Sequence, residues 1–155
     1  MICDGVPLCQ SKPAAARVLI AEDEALIALT LSDLLEAEGY EVIVASDGAE
    51  ALAEARRLGD DLNALVTDLN MPRMSGEALI RALRVDRPQL PVVVVTGSPP
   101  PGGLEELRGP GHNREPFALL HKPIDYAHLI DTLRRAVSTR HASQAPTTYD
   151  PRPVQ

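Results

Sequence analysis

Short apolar runs alternate with amphipathic segments along this chain of 155 residues, and this alternation limits the possible fold more than any other feature. The clearest runs cover residues 17–21, 64–67 and 92–95, and each has the length and unbroken apolar character of a strand buried on both faces. The segments between them place apolar residues at helical spacing. Strands separated by helices favour a parallel sheet with helices on both faces, so the pattern predicts an α/β fold.

The elements can be placed along the chain from periodicity and capping residues. We expect strands at residues 17–21, 41–45, 64–67, 92–95 and 117–121. We expect helices at residues 25–38, 48–58, 76–85 and 126–138, with Asp47, Ser75 and Asp125 as N-cap residues. Residues 98–116 contain five prolines, so a long helix is not expected there.

Composition limits the compartment and the partners. The net charge of −7 and the aromatic content of 3% disfavour nucleic-acid binding, which needs basic residues for phosphates and aromatic rings for bases. No apolar run approaches the roughly 20 residues that span a bilayer, and the start lacks a secretory signal, so we expect a cytoplasmic protein. We divide the chain into a flexible leader at 1–16, one domain at 17–140 and a disordered tail at 141–155.

Reactive side chains stand where the predicted strands end. Asp68 follows the third strand, where an unpaired carboxylate is costly to bury. Glu22 and Asp23 follow the first strand, Thr96 closes the fourth and Lys122 follows the fifth. In a parallel sheet these ends share one edge, and they converge on one crevice if the first, third and fourth strands are neighbours. Taken singly, each residue also has an ordinary structural role, such as a turn cap for Asp68 or a solvated surface position for Lys122.

The chemistry of this set points to phosphoryl transfer. Three carboxylates in one crevice repel one another, and their pKa values would rise unless a cation lies among them. Oxygen ligands favour a hard divalent ion such as Mg²⁺. We therefore expect Asp68 to act as a nucleophile that accepts a phosphoryl group and becomes an aspartyl phosphate. Mg²⁺, Lys122 and Thr96 would neutralise charge on the transferring oxygens.

Four segments that carry these residues resemble the receiver domains of two-component response regulators. They are VLIAEDE at 18–24, TDLNMPRMSG at 67–76, VTG at 95–97 and KP at 122–123. The segments occur in the family's order, and the resemblance spans residues 17–140. It implies a flavodoxin-like, doubly wound sheet of five parallel strands in the order 2-1-3-4-5. The proline-rich segment predicts that the fourth helix of this fold is short or irregular.

The resemblance implies a role for each residue of the site. Asp68 is the expected phosphoacceptor. Glu22 and Asp23 form the acidic pocket that, together with Asp68 and the backbone carbonyl of Asn70, holds Mg²⁺. Thr96 and Lys122 are the expected switch hydroxyl and lysine. The family usually has an aromatic residue three positions before this lysine, where this chain has Leu119.

The resemblance also implies the partners. A sensor histidine kinase or a histidine phosphotransfer protein is the expected phosphodonor, and the output is an unidentified protein target or the draining of phosphate from the kinase. We expect no nucleic-acid or membrane partner, a monomer or weak dimer, and no enzymatic activity beyond the chain's own phosphorylation and dephosphorylation. A stand-alone receiver is expected, because the polar stretch after residue 139 is too short for an output domain.

Two other functions stay open at this point. A pseudo-receiver would bind partners without taking phosphate, although every reactive position is filled here. A phosphatase of the haloacid-dehalogenase type also uses an Asp nucleophile, a Thr or Ser, a Lys and Mg²⁺. That class usually carries an acid two positions after the nucleophile, where this chain has Asn70.

Overall fold

The computed structural model describes residues 15–103 and 117–144. Within these residues, strands alternate with helices from the first strand to the fourth, and one helix follows the fifth strand. The elements are β1 (Arg17–Ala21), α1 (Ala25–Ala37), β2 (Glu41–Ala45), α2 (Gly48–Leu58), a 3₁₀ turn (Gly59–Asp61), β3 (Ala64–Thr67), α3 (Gly76–Asp86), β4 (Val92–Thr96), β5 (Phe117–His121) and α4 (Tyr126–Gln144).

The five strands form one parallel sheet in the order β2-β1-β3-β4-β5. The central strand β3 places Val66 beside Ile20 of β1 and Val93 of β4. The chain moves outward from β1 to β2 and then crosses back to β3, so the strand order reverses between β1 and β3. In such sheets the crevice at the carboxyl ends of these two strands is the usual ligand site. The predicted fold class and strand order are confirmed.

Helices cover both faces of the sheet because successive strand residues point to opposite sides. Leu65 lies in a core cluster with the inward residues of α2 and α3, whereas its neighbour Val66 packs with α1 and α4. The predicted apolar positions of α4 are Leu129, Ile130, Leu133 and Val137, and all four pack in the second cluster. This two-sided burial explains why β1, β3 and β4 read as continuous apolar runs.

Capping side chains fix the starts of three helices. The carboxylates of Asp47 and Asp125 and the hydroxyl of Ser75 each accept a hydrogen bond from the amide three residues later, at 2.8, 3.1 and 3.2 Å respectively. The three predicted N-caps are therefore confirmed. Gly39 follows α1 with a φ of 101°, a conformation that side-chain-bearing residues rarely adopt.

The last helix is longer than the sequence pattern predicts. The prediction that it ends near Ser138 and that the tail from 141 is disordered was wrong for the first residues of that tail, since α4 continues to Gln144. Residues 139–144 are mostly polar but contain neither Gly nor Pro, and polarity alone does not end a helix. The predictions for residues 1–14, for an irregular segment within 104–116 and for the tail at 145–155 lie outside the described residues.

Across residues 15–103 and 117–144, no helix combines the length and the apolar character needed to cross a bilayer.

Candidate functional site

The predicted reactive residues lie at the carboxyl edge of the sheet. Glu22 directly follows β1, Asp68 follows β3, Thr96 ends β4 and Lys122 follows β5. Backbone hydrogen bonds hold these ends in line, since the Asp68 amide donates to the carbonyl of Ala21 at 3.0 Å and the Lys122 amide donates to that of Thr96 at 3.0 Å. The site therefore lies at the point where the strand order reverses.

Asp68 is buried and both of its carboxylate oxygens are engaged. Oδ2 lies 3.0 Å from the ammonium nitrogen of Lys122. Oδ1 accepts a short hydrogen bond of 2.6 Å from the amide of Leu69 and a longer one of 3.4 Å from the amide of Asn70. A charged partner and two amides explain how the fold accommodates a carboxylate at the end of a buried strand.

Glu22, Asp23 and Asp68 form a compact acidic cluster. Each can offer one carboxylate oxygen such that all three oxygens lie within 4.8 Å of one another. Glu22 is buried and Asp23 is exposed, so the cluster opens to solvent on one side. Three hard oxygen ligands with an open side suit Mg²⁺, which binds one or two carboxylates and keeps several waters. The residues present therefore fit the metal that the sequence predicts.

Burial raises the pKa of the Glu22 carboxyl above its ordinary value of 4.5. The amide of Glu24 and the charge of Lys122 oppose this rise, whereas the charge of Asp68 adds to it. The pKa of a buried carboxyl rises because the charged form loses hydration. A cation placed among the three carboxylates would stabilise their charged forms and so offset this penalty, which favours metal binding at the site.

Lys122 is the positive centre of the site. Its ammonium nitrogen lies 3.0 Å from Asp68, 3.3 Å from Glu22 and 3.5 Å from Glu24. Burial alone would lower the pKa of Lys122, but the hydrogen bond to Asp68 and the charge of Glu22 outweigh it, and the pKa is raised. The lysine is therefore charged at neutral pH and can bind an anionic group between the carboxylates.

Thr96 and Asn70 complete the predicted set. Thr96 is fully buried, and its hydroxyl oxygen accepts a hydrogen bond of 3.2 Å from the amide of Ser98, which leaves the hydroxyl proton to be donated elsewhere. Asn70 is exposed, and its amide joins it to Asp68. The structure thus places Glu22, Asp68 and Lys122 in direct contact and sets Asp23, Thr96 and Asn70 around them. The metal-binding role of the Asn70 carbonyl stays a prediction.

The loop after Asp68 contains contacts that the sequence did not reveal. Gly76 donates its amide to the Leu69 carbonyl at 2.9 Å and lies so close to the Asp68 carbonyl that a Cβ atom would overlap it. Arg73 has a φ of 67° and lies 3.3 Å from the buried carboxylate of Asp47. A glycine that follows a loop is a weak signal of a close approach, and the Arg73 contact had no signal in the sequence.

Glu24 is a further residue of the site, and its contacts with Glu22 and Lys122 were not predicted from the sequence. Its amide donates to Glu22 at 3.2 Å and its carboxylate reaches Lys122. One available signal was the occurrence of Glu at an N-cap position, where Ser, Thr, Asp or Asn is usual.

The sheet is doubly wound, and an acidic cluster faces a lysine at the edge where its strand order reverses. This combination is typical of a receiver-like domain. The chain belongs to the response regulator receiver domain family, because residues 18–134 match that family. This membership favours a receiver over a phosphatase of the haloacid-dehalogenase type.

Known proteins of the same kind resemble the chain in sequence. The transcriptional regulatory protein PdtaR of Mycobacterium tuberculosis is 38% identical over 123 residues, which cover 79% of this chain and 57% of PdtaR. The sensory/regulatory protein RpfC of Xanthomonas campestris pv. campestris is 33% identical over 144 residues, which cover 90% of this chain and 19% of RpfC. The chain thus spans little more than half of one relative and about a fifth of the other.

Solved structures of other proteins are similar to this chain in fold. A receiver domain protein from Clostridium thermocellum superposes with a TM-score of 0.74 at 26% identity, covering 83% of this chain and 98% of that one. The chemotaxis protein CheY4 of Vibrio cholerae superposes with a TM-score of 0.68 at 31% identity, covering 79% of this chain and 99% of CheY4. Both neighbours are matched over almost their whole length, so the fold is that of an entire receiver domain.

Proposed function

We propose that this chain is the phosphoacceptor of a two-component phosphorelay. Asp68 takes a phosphoryl group from a sensor histidine kinase or a histidine phosphotransfer protein, with Mg²⁺ in the acidic cluster. The phosphorylated protein then signals by binding another protein, or it serves as a sink that drains phosphate from the kinase. Donor and receiver must meet in one compartment, which we take to be the cytoplasm. The chain catalyses its own phosphorylation and dephosphorylation and no other reaction.

One observation carries this proposal: Asp68 is a buried carboxylate in contact with Lys122 and clustered with Glu22 and Asp23. An ordinary turn-capping aspartate would need neither the lysine nor the additional acids. An acid, a lysine and an acidic metal site at one sheet edge together supply a nucleophile and the positive charge that phosphoryl transfer requires.

The chemical step follows from this arrangement. A carboxylate oxygen of Asp68 forms a bond to phosphorus while the bond between phosphorus and the donor's imidazole nitrogen breaks, and the electron pair stays on that nitrogen. Lys122 neutralises charge on the phosphoryl oxygens during transfer. Mg²⁺, when bound by Glu22, Asp23, Asp68 and the Asn70 carbonyl, supplies further positive charge at the same oxygens. The Leu69 and Asn70 amides hold Oδ1 and so orient the carboxylate.

Phosphorylation also supplies a signal. The new phosphoryl oxygens offer acceptors to the hydroxyl proton of Thr96, whose oxygen is held by the amide of Ser98. Movement of Thr96 towards these oxygens would raise the population of a second conformation of the edge near β4. Leu119, at the usually aromatic switch position, is a partly buried residue of the core cluster that also contains α2 and α3. Any coupling between Thr96 and this position would therefore involve an aliphatic side chain.

Intact mass measures the proposed function directly. The protein is incubated with Mg²⁺ and acetyl phosphate, a small phosphodonor, and wild type is compared with Asp68→Asn. We expect a gain of one phosphoryl group in wild type only, and no gain when EDTA removes Mg²⁺. A gain of equal size in Asp68→Asn would refute Asp68 as the acceptor.

If wild type gains no mass, either the phosphoryl group is hydrolysed rapidly or the protein is a pseudo-receiver, and a second measurement distinguishes the two. Fluoroberyllate mimics a phosphoryl group and does not hydrolyse, so a protein that loses phosphate quickly still binds it. Binding by wild type together with no mass gain would show rapid hydrolysis. No binding at all would favour the pseudo-receiver, whose partner binding should be unchanged by Asp68→Ala and independent of Mg²⁺.

A further inference from the structure

Glu24 occupies the N-cap position of α1 but does not cap the helix. Its side chain makes no capping hydrogen bond, and its carboxylate instead lies 3.5 Å from the ammonium nitrogen of Lys122, across the site. Its amide meanwhile orients the buried carboxylate of Glu22. The residue therefore contributes to the site twice, through its backbone and through its side chain, although the proposed chemistry assigns it no role.

Lys122 is surrounded by carboxylates that differ sharply in exposure. The side chains of Glu22 and Asp68 are 3% and 8% exposed, whereas that of Glu24 is 64% exposed. A phosphoryl group that arrives from solvent needs the charge of Lys122 and must replace a contact that this lysine already makes. Displacing Glu22 or Asp68 would leave a buried charge without its partner, which is costly. Displacing Glu24 returns a carboxylate to water, and exposed ion pairs contribute little.

We infer that Glu24 competes with the incoming phosphoryl group for Lys122 and so lowers the affinity of the site for that group. This inference rests on the proposed function. Of the three carboxylates that contact Lys122, that of Glu24 is the exposed one, so it is the contact that an incoming phosphoryl group displaces most readily. A small anionic donor has to do so against the repulsion between its own charge and that of Glu24. A donor protein can place a basic side chain beside Glu24 and pair with the carboxylate that it displaces.

The inference predicts how Glu24→Gln changes affinity for a phosphoryl mimic. Fluoroberyllate binding is measured by ¹⁹F NMR in saturating Mg²⁺ for the full chain, and the Mg²⁺ affinity of each variant is measured separately. We expect Glu24→Gln to bind fluoroberyllate about two- to fivefold more tightly than wild type, the size expected for an exposed ion pair. With acetyl phosphate, the same variant should reach half-maximal phosphorylation at a lower donor concentration.

A matched control removes the same charge elsewhere on α1. Glu36→Gln changes the net charge by the same amount at an exposed position towards the other end of the helix. We expect its affinity for fluoroberyllate to equal that of wild type. Equal gains in Glu24→Gln and Glu36→Gln would show a general charge effect and overturn the inference.

A shorter acid separates contact from charge. Glu24→Asp keeps the negative charge but retracts the carboxylate from Lys122 by one methylene. We expect it to bind fluoroberyllate more tightly than wild type, as Glu24→Gln does. Wild-type affinity in Glu24→Asp would show that the contact with Lys122 is irrelevant and would overturn the inference.

The proposed function and this inference fail in different ways. If wild type binds fluoroberyllate and Glu24→Gln binds it no better, the inference is wrong and the phosphoacceptor function stands. If neither protein binds fluoroberyllate and neither gains mass with acetyl phosphate, the proposed function falls and the inference falls with it.

Discussion

Gly76, the first residue of α3, packs directly against the backbone carbonyl of Asp68, and the space between them cannot hold a Cβ atom. The Gly76 amide also donates to the carbonyl of Leu69 at 2.9 Å. The start of α3 is thus packed against the backbone of Asp68, the proposed phosphoacceptor. We therefore expect the position of the Asp68 carboxylate to depend on a glycine eight residues further along the chain.

Gly76→Ala should therefore destabilise the protein and disturb the site. The atoms that a new Cβ would meet belong to the backbone of Asp68 and Leu69, which cannot rotate away as a side chain would. We expect a loss of about 1–3 kcal/mol in the free energy of unfolding, as for other substitutions that overfill a packed region. Urea denaturation measures this loss, and fluoroberyllate affinity should fall in parallel.

Gly97→Ala is the matched control for this prediction. Gly97 also lies beside the site, but a Cβ added there would have its nearest neighbour at 3.9 Å, an ordinary contact with Lys122. We expect its stability to stay within about 0.5 kcal/mol of wild type. If both alanine variants unfold at the same urea concentration, the close approach at Gly76 has no energetic consequence.

Lys122→Met should make the protein more dependent on Mg²⁺ for stability. The substitution leaves the buried carboxylates of Asp68 and Glu22 without their ammonium partner, and repulsion between them then destabilises the metal-free protein. Mg²⁺ supplies replacement positive charge. We expect a lower Tm than wild type in EDTA and a larger rise in Tm when Mg²⁺ is added, both followed by thermal unfolding.

Arg134→Met tests whether loss of any positive charge has the same effect. Arg134 forms an ion pair of 2.7 Å with Glu38, and the two side chains are 57% and 36% exposed. Exposed pairs contribute about 0–1 kcal/mol, so its Tm should change little and its response to Mg²⁺ should match wild type. A Mg²⁺ response in Lys122→Met no larger than in Arg134→Met would contradict the proposed electrostatics.

Glu22 predicts a pH dependence of the metal-free protein. Because burial raises the pKa of its carboxyl above 4.5, the folded chain holds a proton at Glu22 over a pH range in which the unfolded chain has lost it. The folded state then binds more protons, so this contribution to stability falls as pH rises through that range. Glu22→Gln removes the titration and keeps the size of the side chain.

The difference between wild type and Glu22→Gln isolates this effect. In EDTA at about pH 7.5 we expect Glu22→Gln to have the higher Tm, by about 2–4 °C for each kcal/mol gained. The gap should narrow as the pH falls and wild-type Glu22 becomes protonated. A gap that does not change with pH would assign the difference to packing rather than to charge. In saturating Mg²⁺ the order should reverse, because the neutral amide of the variant lacks the negative charge that the metal needs.

The sequence predicted the sheet because the signal for each strand is local. Residues 18–20 and 92–95 read as buried strands from their own apolar character, and their order with the helices fixed the topology once the family resemblance was recognised. The predicted end of α4 came too early. Gly and Pro are the usual residues that end a helix, and the segment from 139 to 144 contains neither, so the sequence gives no stop signal before Gln144.

The site was predictable only as far as strand ends could be located. Asp68 and Lys122 were placed at one sheet edge, and the structure joins them at 3.0 Å. The contact between Glu24 and Lys122 spans 98 positions, and an unusual N-cap residue at Glu24 does not indicate which side chain it contacts. Contacts of this kind depend on the direction of side chains, which strand and helix patterns do not specify.

Arg73 offers a test of how the loop after Asp68 is held. It has a φ of 67°, which is unfavourable for a residue with a Cβ atom, and its guanidinium lies 3.3 Å from the buried carboxylate of Asp47. Arg73→Ala removes the ion pair and keeps the strain, whereas Arg73→Gly removes both. We therefore expect Arg73→Ala to be less stable than Arg73→Gly by about 1–2 kcal/mol in urea denaturation. Equal stability would show that the loop in Arg73→Ala has relaxed to a negative φ. In that case the amide of Gly48, which donates to the carbonyl of Met74 at 3.1 Å, should exchange faster with deuterium in Arg73→Ala than in Arg73→Gly.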